Sequence, residues 1–117
     1  MNRNNFIHKL AYTTESSNKP IWQRISHPFD DYPSYQMEGK NGMKVELRQF
    51  NVSHYEDDGS VSASPEVVAE LKDEADLNLG YIYGRELNDP SEMHKLYHIA
   101  EMNANDVDKL TDEFFDD

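Results

Sequence analysis

Met43-Lys44-Val45-Glu46-Leu47-Arg48-Gln49-Phe50-Asn51-Val52 is the stretch on which the fold turns. Met43, Val45 and Leu47 alternate with Lys44, Glu46 and Arg48. This period of two puts apolar side chains on one face of a strand and charged ones on the other. The alternation changes phase before Phe50 and Val52, which predicts a β-bulge near Arg48-Gln49. Upstream, Gly39-Lys40-Asn41-Gly42 has the chemistry of a turn, with Tyr35 and Met37 on a strand before it, so the region predicts a hairpin. The polar loop Glu56-Asp57-Asp58-Gly59-Ser60 closes it.

Toward the N-terminus, Phe6, Ile7 and Leu10 stand at helical spacing between Asn5 and Tyr12. Ile21, Trp22 and Ile25 form a short apolar cluster, helical or extended, and Pro28 and Pro33 bracket a loop. Beyond the hairpin, Ser64-Pro65-Glu66 has the signature of a helix start: a capping Ser, Pro in the first turn and an acid at the positive end of the dipole. With Val67, Val68, Leu71 and Ala75 as its apolar stripe and Gly80 as terminator, it predicts a helix over 65–78. Tyr81-Ile82-Tyr83 reads as a short strand. Asp89-Pro90-Ser91-Glu92 opens a helix over about 90–102 with Met93, Leu96, Tyr97 and Ala100 facing inward. Asn105 caps a last helix over 106–114, with Val107, Leu110 and Phe114 on its apolar side. The expectation is one α+β domain over 1–117: a small antiparallel sheet, made of the hairpin and the short strand, packed with several short helices, and an acidic helical C-terminal half.

Composition bounds the function. Only 37% of residues are hydrophobic and the mean hydropathy is -0.89, yet one Trp, seven Tyr and five Phe supply enough aromatic surface for a thin core. The absence of cysteine excludes disulfides and thiolate metal sites and fits a cytoplasmic protein. No apolar run approaches the ~18 residues of a membrane span, and the first residues lack the apolar run of a secretory signal. Charge is sorted along the chain. Residues 1–54 carry seven bases and five acids, whereas residues 55–117 carry four bases and eighteen acids, so the second half alone holds a net charge of -14 against -12 for the whole chain. Such a chain repels phosphates, so direct nucleic-acid binding is disfavoured.

The candidate binding residues are carboxylates. On the predicted helix over 65–78, Glu66, Glu70, Asp73 and Glu74 fall within a sector of about 100°, relieved locally by Lys72 alone. Asp106, Asp108, Asp112 and Glu113 repeat the pattern on the last helix against Lys109, and Glu56, Asp57 and Asp58 add a cluster in the loop. Duplex DNA also carries regularly spaced negative charge, one per ~1.7 Å of axis. Carboxylates held on rigid elements could therefore occupy a Lys- and Arg-lined DNA site by charge-assisted, salt-sensitive contacts.

In size, lack of cysteine and acidic C-terminal half, the chain resembles the bacterial and phage DNA-mimic proteins, and within them the small monomeric neisserial type that binds the histone-like protein HU. The likeness covers the whole chain in length and character and rests on no diagnostic motif. It implies a monomer that occupies the DNA-binding surface of a nucleoid-associated protein and releases DNA from it. Anti-restriction and anti-CRISPR inhibitors share the same charge layout.

A catalytic alternative uses His94, His98 and Glu101, which share one helical face at i, i+4 and i+7 and could ligate zinc with a position open for water. The order is not the His-Glu-x-x-His that supplies a metalloprotease base. No nucleophile constellation and no phosphate-cradling glycine loop stand out, so no catalytic residue, resident metal or cofactor is expected. Trp22, Tyr81 and Tyr83 are read as completing the thin core more readily than as an aromatic contact surface.

Overall fold

The computed structural model describes the backbone of residues 1–115 and the side chains of all of these except 107–109. It is α+β. Five strands, β1 (Gln23–Ile25), β2 (Ser34–Glu38), β3 (Lys44–Tyr55), β4 (Val61–Lys72) and β5 (Asn78–Tyr83), lie side by side in chain order as one antiparallel meander. Helices α1 (Arg3–Glu15) and α2 (Ser91–Asn105) cover one face, and α3 (Val107–Phe114) continues from the end of α2.

The alternation around Val45 and Leu47 does what its period demands. Both point at the helices, as do Tyr35, Val67, Ala69 and Ile82, and they meet Ile7, Leu10, Met93, Leu96 and Ala100 in a single core. Leu47 and Ala69 face each other across β3 and β4 and are fully buried. Two polar devices lock the helices down. Trp22 Nε1 donates to Thr14 Oγ1 at 2.8 Å, whose own hydroxyl donates to the Leu10 carbonyl at 2.7 Å. Asn103 Oδ1 accepts the N–H groups of Ile21 and Trp22 at 2.7 and 3.1 Å, and its amide donates to the Lys19 carbonyl at 3.0 Å. One side chain on α2 thus satisfies three backbone groups of the segment leading into β1.

Tyr35 on β2 and Tyr97 on α2 meet edge to face with ring centroids 5.3 Å apart. Tyr97 donates to the Pro33 carbonyl at 2.6 Å, and burial, then the neighbouring Tyr35 and Glu101, push its hydroxyl up to about 12. It stays a donor across the physiological range.

The expected helix over 65–78 is instead the second half of β4 and the turn after it. Glu66, Val68, Glu70 and Lys72 point to the helix-free face while Val67, Ala69 and Leu71 point to the core. That period-2 pattern competes in the sequence with the helical stripe. Two adjacent β-branched valines favour the strand. Pro65 is tolerated because β5 pairs β4 only from Val68 onward, so Pro65 sits where β4 is a sheet edge and no neighbour needs its N–H on that side. Gly80 lies inside β5 and terminates no helix. The sheet is accordingly larger than a hairpin plus one strand.

The expected bulge near Arg48-Gln49 is also absent. The register runs unbroken through Arg48↔Val68 and Gln49↔Val67, and the irregularity falls between Leu71 and Lys72. Phe50 and Val52 lie on the face opposite Leu47 by strand alternation alone, with Glu46 and Arg48, in a part of β3 that has passed the end of the core. The junction between α2 and α3 turns at Asp106, in left-handed backbone (φ 43°), rather than at an Asn105 cap.

Candidate interaction surface

The twelve-residue strands β3 and β4 outrun their neighbours. β2 pairs with β3 only as far as Leu47, and β5 reaches β4 only as far back as Val68, whereas β3 and β4 stay paired out to Tyr55↔Val61. Residues 49–67 therefore leave the sheet as a two-stranded arm, roughly 20 Å long at ~3.3 Å per residue. Its tip is the turn Glu56–Ser60. Glu56 N–H donates to the Ser60 carbonyl, Gly59 supplies the left-handed backbone (φ 87°), and Asp58 Oδ1 accepts both the N–H and the hydroxyl of Ser60 at 2.9 and 2.6 Å. Those bonds to the Ser60 hydroxyl and N–H hold the Asp58 carboxyl below its ordinary value. From Gln49 to Leu71 there is no Lys or Arg at all. The three tip carboxylates are exposed on a narrow projection with no cation of the same segment to neutralise them.

The other expected acids do not extend this cluster into one rod. On a helix Glu66 and Glu70 would stand about 5–6 Å apart; on β4 four residues span ~13 Å. Glu70 is buried and accepts the Asn78 side-chain amide at 2.8 Å. Asp73 is turned into its own loop, where Oδ1 accepts the N–H groups of Ala75 and Leu77. It and the exposed Glu74 lie at the far end of the β3–β4 hairpin, ~40 Å of strand from the tip. Asp106 is at the α2–α3 junction, and Asp112 and Glu113 are exposed on α3. The side chain of Asp108 lies outside the described residues. Apart from Glu66 and Glu70, which lie along β4, the carboxylates occupy three separate stations: the arm tip, the β4–β5 turn and α3.

The helix-free face holds a charged network that the sequence pattern did not announce. Glu46 and Glu70 are direct neighbours across β3 and β4, which would repel on their own. Lys72 lies on Glu46 at 2.7 Å and 3.9 Å from Glu70, Arg48 stands 3.8 and 3.9 Å from the two and 3.1 Å from Asp30, and His27 Nε2 lies 2.8 Å from Glu46. Burial alone would raise the Glu46 carboxyl, but the hydrogen bonds from Lys72 and His27 together outweigh it and hold it below its ordinary value. Every acid in this network has a cation beside it, so this part of the face offers little free negative charge.

Next to the network, at the base of the arm, lies a cleft of about 470 Å³ with Phe29, Arg48, Phe50, Val68, Tyr81 and Tyr83 in its walls. Tyr81 and Tyr83 stack at 5.9 Å, and the Arg85 guanidinium lies 4.3 Å over the Tyr83 ring. Phe29 is fully exposed in left-handed backbone (φ 75°), a conformation that a bulky side chain seldom adopts. Trp22 belongs to the core as expected; Tyr81 and Tyr83 do not, because β5 turns alternate residues away from it. The signal that could have placed them is their spacing of two around the buried Ile82.

His94, His98 and Glu101 do lie on α2, but they do not converge. The two histidines are exposed, His98 Nδ1 is 3.8 Å from Glu101, and Glu101 accepts the Tyr35 hydroxyl at 3.2 Å. Among the described residues no three His, Asp or Glu side chains are grouped to hold a metal ion, and no helix is long and apolar enough to cross a membrane. No protein-family model matches the chain, and neither a curated protein nor a solved structure is significantly similar to it.

Proposed function

We propose that this chain is a non-enzymatic binding protein that competes with DNA for a basic DNA-binding protein, a nucleoid-associated protein such as histone-like HU. The observation that carries the reading is the acidic arm: three exposed carboxylates on a projecting two-stranded ribbon, within a 23-residue run free of Lys and Arg. A cationic groove built for a duplex would receive the ribbon edge-on. The aromatic cleft at the arm's base, with its exposed Phe and Tyr rings flanked by Arg, has the composition of interface anchors. Charge would steer the encounter and the aromatic base would hold the complex. The presenting element is a β-ribbon in place of a helical rod, and the buried Glu70 and the loop-bound Asp73 are left out of it.

The test is displacement. A labelled duplex bound to purified HU should be released by this protein, and the release should weaken as salt rises. Glu56→Gln/Asp57→Asn/Asp58→Asn should raise the concentration needed by roughly tenfold or more, since each exposed charge contact contributes up to about 1 kcal/mol. Asp112→Asn/Glu113→Gln on α3 should have the smaller effect. Undiminished release at high salt, or by the neutralised arm, rejects the mimic. If HU–DNA is untouched but a restriction or CRISPR nuclease is inhibited by the same arm, the target is the nuclease and the HU assignment fails.

A further inference from the structure

A second cleft, of about 550 Å³, lies on the opposite face of the sheet from the aromatic one, where the start of α1 fails to cover the ends of the strands. Its floor is a row of register partners: Met37 on β2, Val45 on β3, Leu71 on β4 and Gly80 on β5. Gly80 contributes no side chain to that row, and a Cβ built there would meet nothing within 4 Å. Phe6 and Leu10, one turn apart on α1, form the roof. Met43 and Leu79 at the mouth are about half exposed, so apolar surface is left open to water.

The charge around this opening runs against the rest of the molecule. In a chain with 23 acids and 11 bases, the charged residues lining the cleft are Arg3, Lys40 and Lys44, and no carboxylate lines it. Arg3 is engaged by Glu86 at 2.9 Å and Lys44 by Asp76 at 2.8 Å. Lys40 is exposed and has no carboxylate partner among the described residues. The first turn of α1 also opens at the mouth. It carries no acid, and its N-cap is Asn2, whose Oδ1 accepts the Asn5 N–H at 2.8 Å. An apolar trough of ligand size ending in positive charge has a definite chemical complement.

We propose that this cleft binds a free unbranched acyl carboxylate, its chain along the Met37–Val45–Leu71 row beneath Phe6 and Leu10 and its carboxylate at Lys40. A polar anion would leave the trough wet, and a neutral chain would leave Lys40 without a partner. The site is separate from the arm and stands whether or not the arm binds a DNA-binding protein.

Calorimetric titration of the full chain with butyrate, octanoate, decanoate and dodecanoate tests it. Affinity should be undetectable for butyrate and then tighten roughly three- to fourfold per methylene. Decanol should bind roughly tenfold more weakly than decanoate, and Lys40→Glu should weaken decanoate by a similar factor. Leu79→Asp should abolish binding. Both substituted residues are exposed, so thermal melts of the variants should match the parent. Affinity that does not change with chain length, equal affinity for decanol and decanoate, or full binding by Lys40→Glu overturns the proposal. So does adsorption to anionic phospholipid vesicles without binding of the free acids. A dimer that Leu79→Asp dissociates, in the absence of acid binding, would instead make the cleft an interface between copies.

Discussion

At the scale of single residues, Glu46 shows how a carboxylate comes to be held inside a sheet face. It is fully buried at the backbone level of β3, opposite another glutamate, and stays ionised because Lys72 and His27 reach it. Its carboxyl titrates below its ordinary 4.5 when folded, so between those two values the unfolded chain binds the extra proton. The stabilisation is therefore complete above 4.5 and is lost as the pH falls through the folded value. Glu46→Gln should cost about 2 kcal/mol near neutrality, the worth of a hydrogen bond to a charged group. It should also flatten the acid limb of a stability–pH curve measured by urea unfolding; an unchanged acid limb would mean that other carboxylates carry it. Asn103 is a second such residue. Asn103→Ala strips three partners from the segment entering β1 and should cost about 2–3 kcal/mol by the same measurement.

At the scale of elements, the β3–β4 arm is a ribbon with an acidic end and little core. Outside the sheet proper its side chains are mostly exposed, Tyr55 and Val61 among them, and a two-stranded ribbon adds little stability of its own. Replacing residues 53–63 with a two-residue Asn-Gly turn should therefore leave the melting temperature within a few degrees of the parent. The same change should remove the displacement activity proposed for the arm. A large fall in melting temperature would show that the arm is structural. Within the sheet the opposite holds: Leu47→Ala, at a fully buried position, should cost about 3 kcal/mol.

At the scale of the whole molecule, a net charge of -12 on 117 residues sets a repulsive background that local ion pairs, densest on the helix-free face of the sheet, relieve only in part. Salt should act in opposite directions on two properties. Raising sodium chloride screens the self-repulsion and should raise the melting temperature by several degrees, while it weakens capture of a cationic partner. Calorimetric melts across a salt series check the first arm. A melting temperature that falls with salt would mean that the ion pairs, not the repulsion, dominate.

The alternation around Val45 and Leu47, the helix over Met93–Ala100 and the uneven charge were legible in the residues because each depends on periodicity or on a count. What the residues alone misplaced was the segment from Ser64 to Leu71: its capping signature and apolar stripe predicted a helix over 65–78, although the same residues also carry the alternation of a two-faced strand. Tertiary pairing decided it: β3 and β5 offer the hydrogen bonds of a ladder, and only in that setting do Val67, Ala69 and Leu71 reach the core. The same pairing spread the expected carboxylates along β4 and over three stations, buried Glu70 among cations and left the arm tip exposed. Local preferences are summed over a few neighbours, whereas the placement of charge depends on which distant strand supplies the partner.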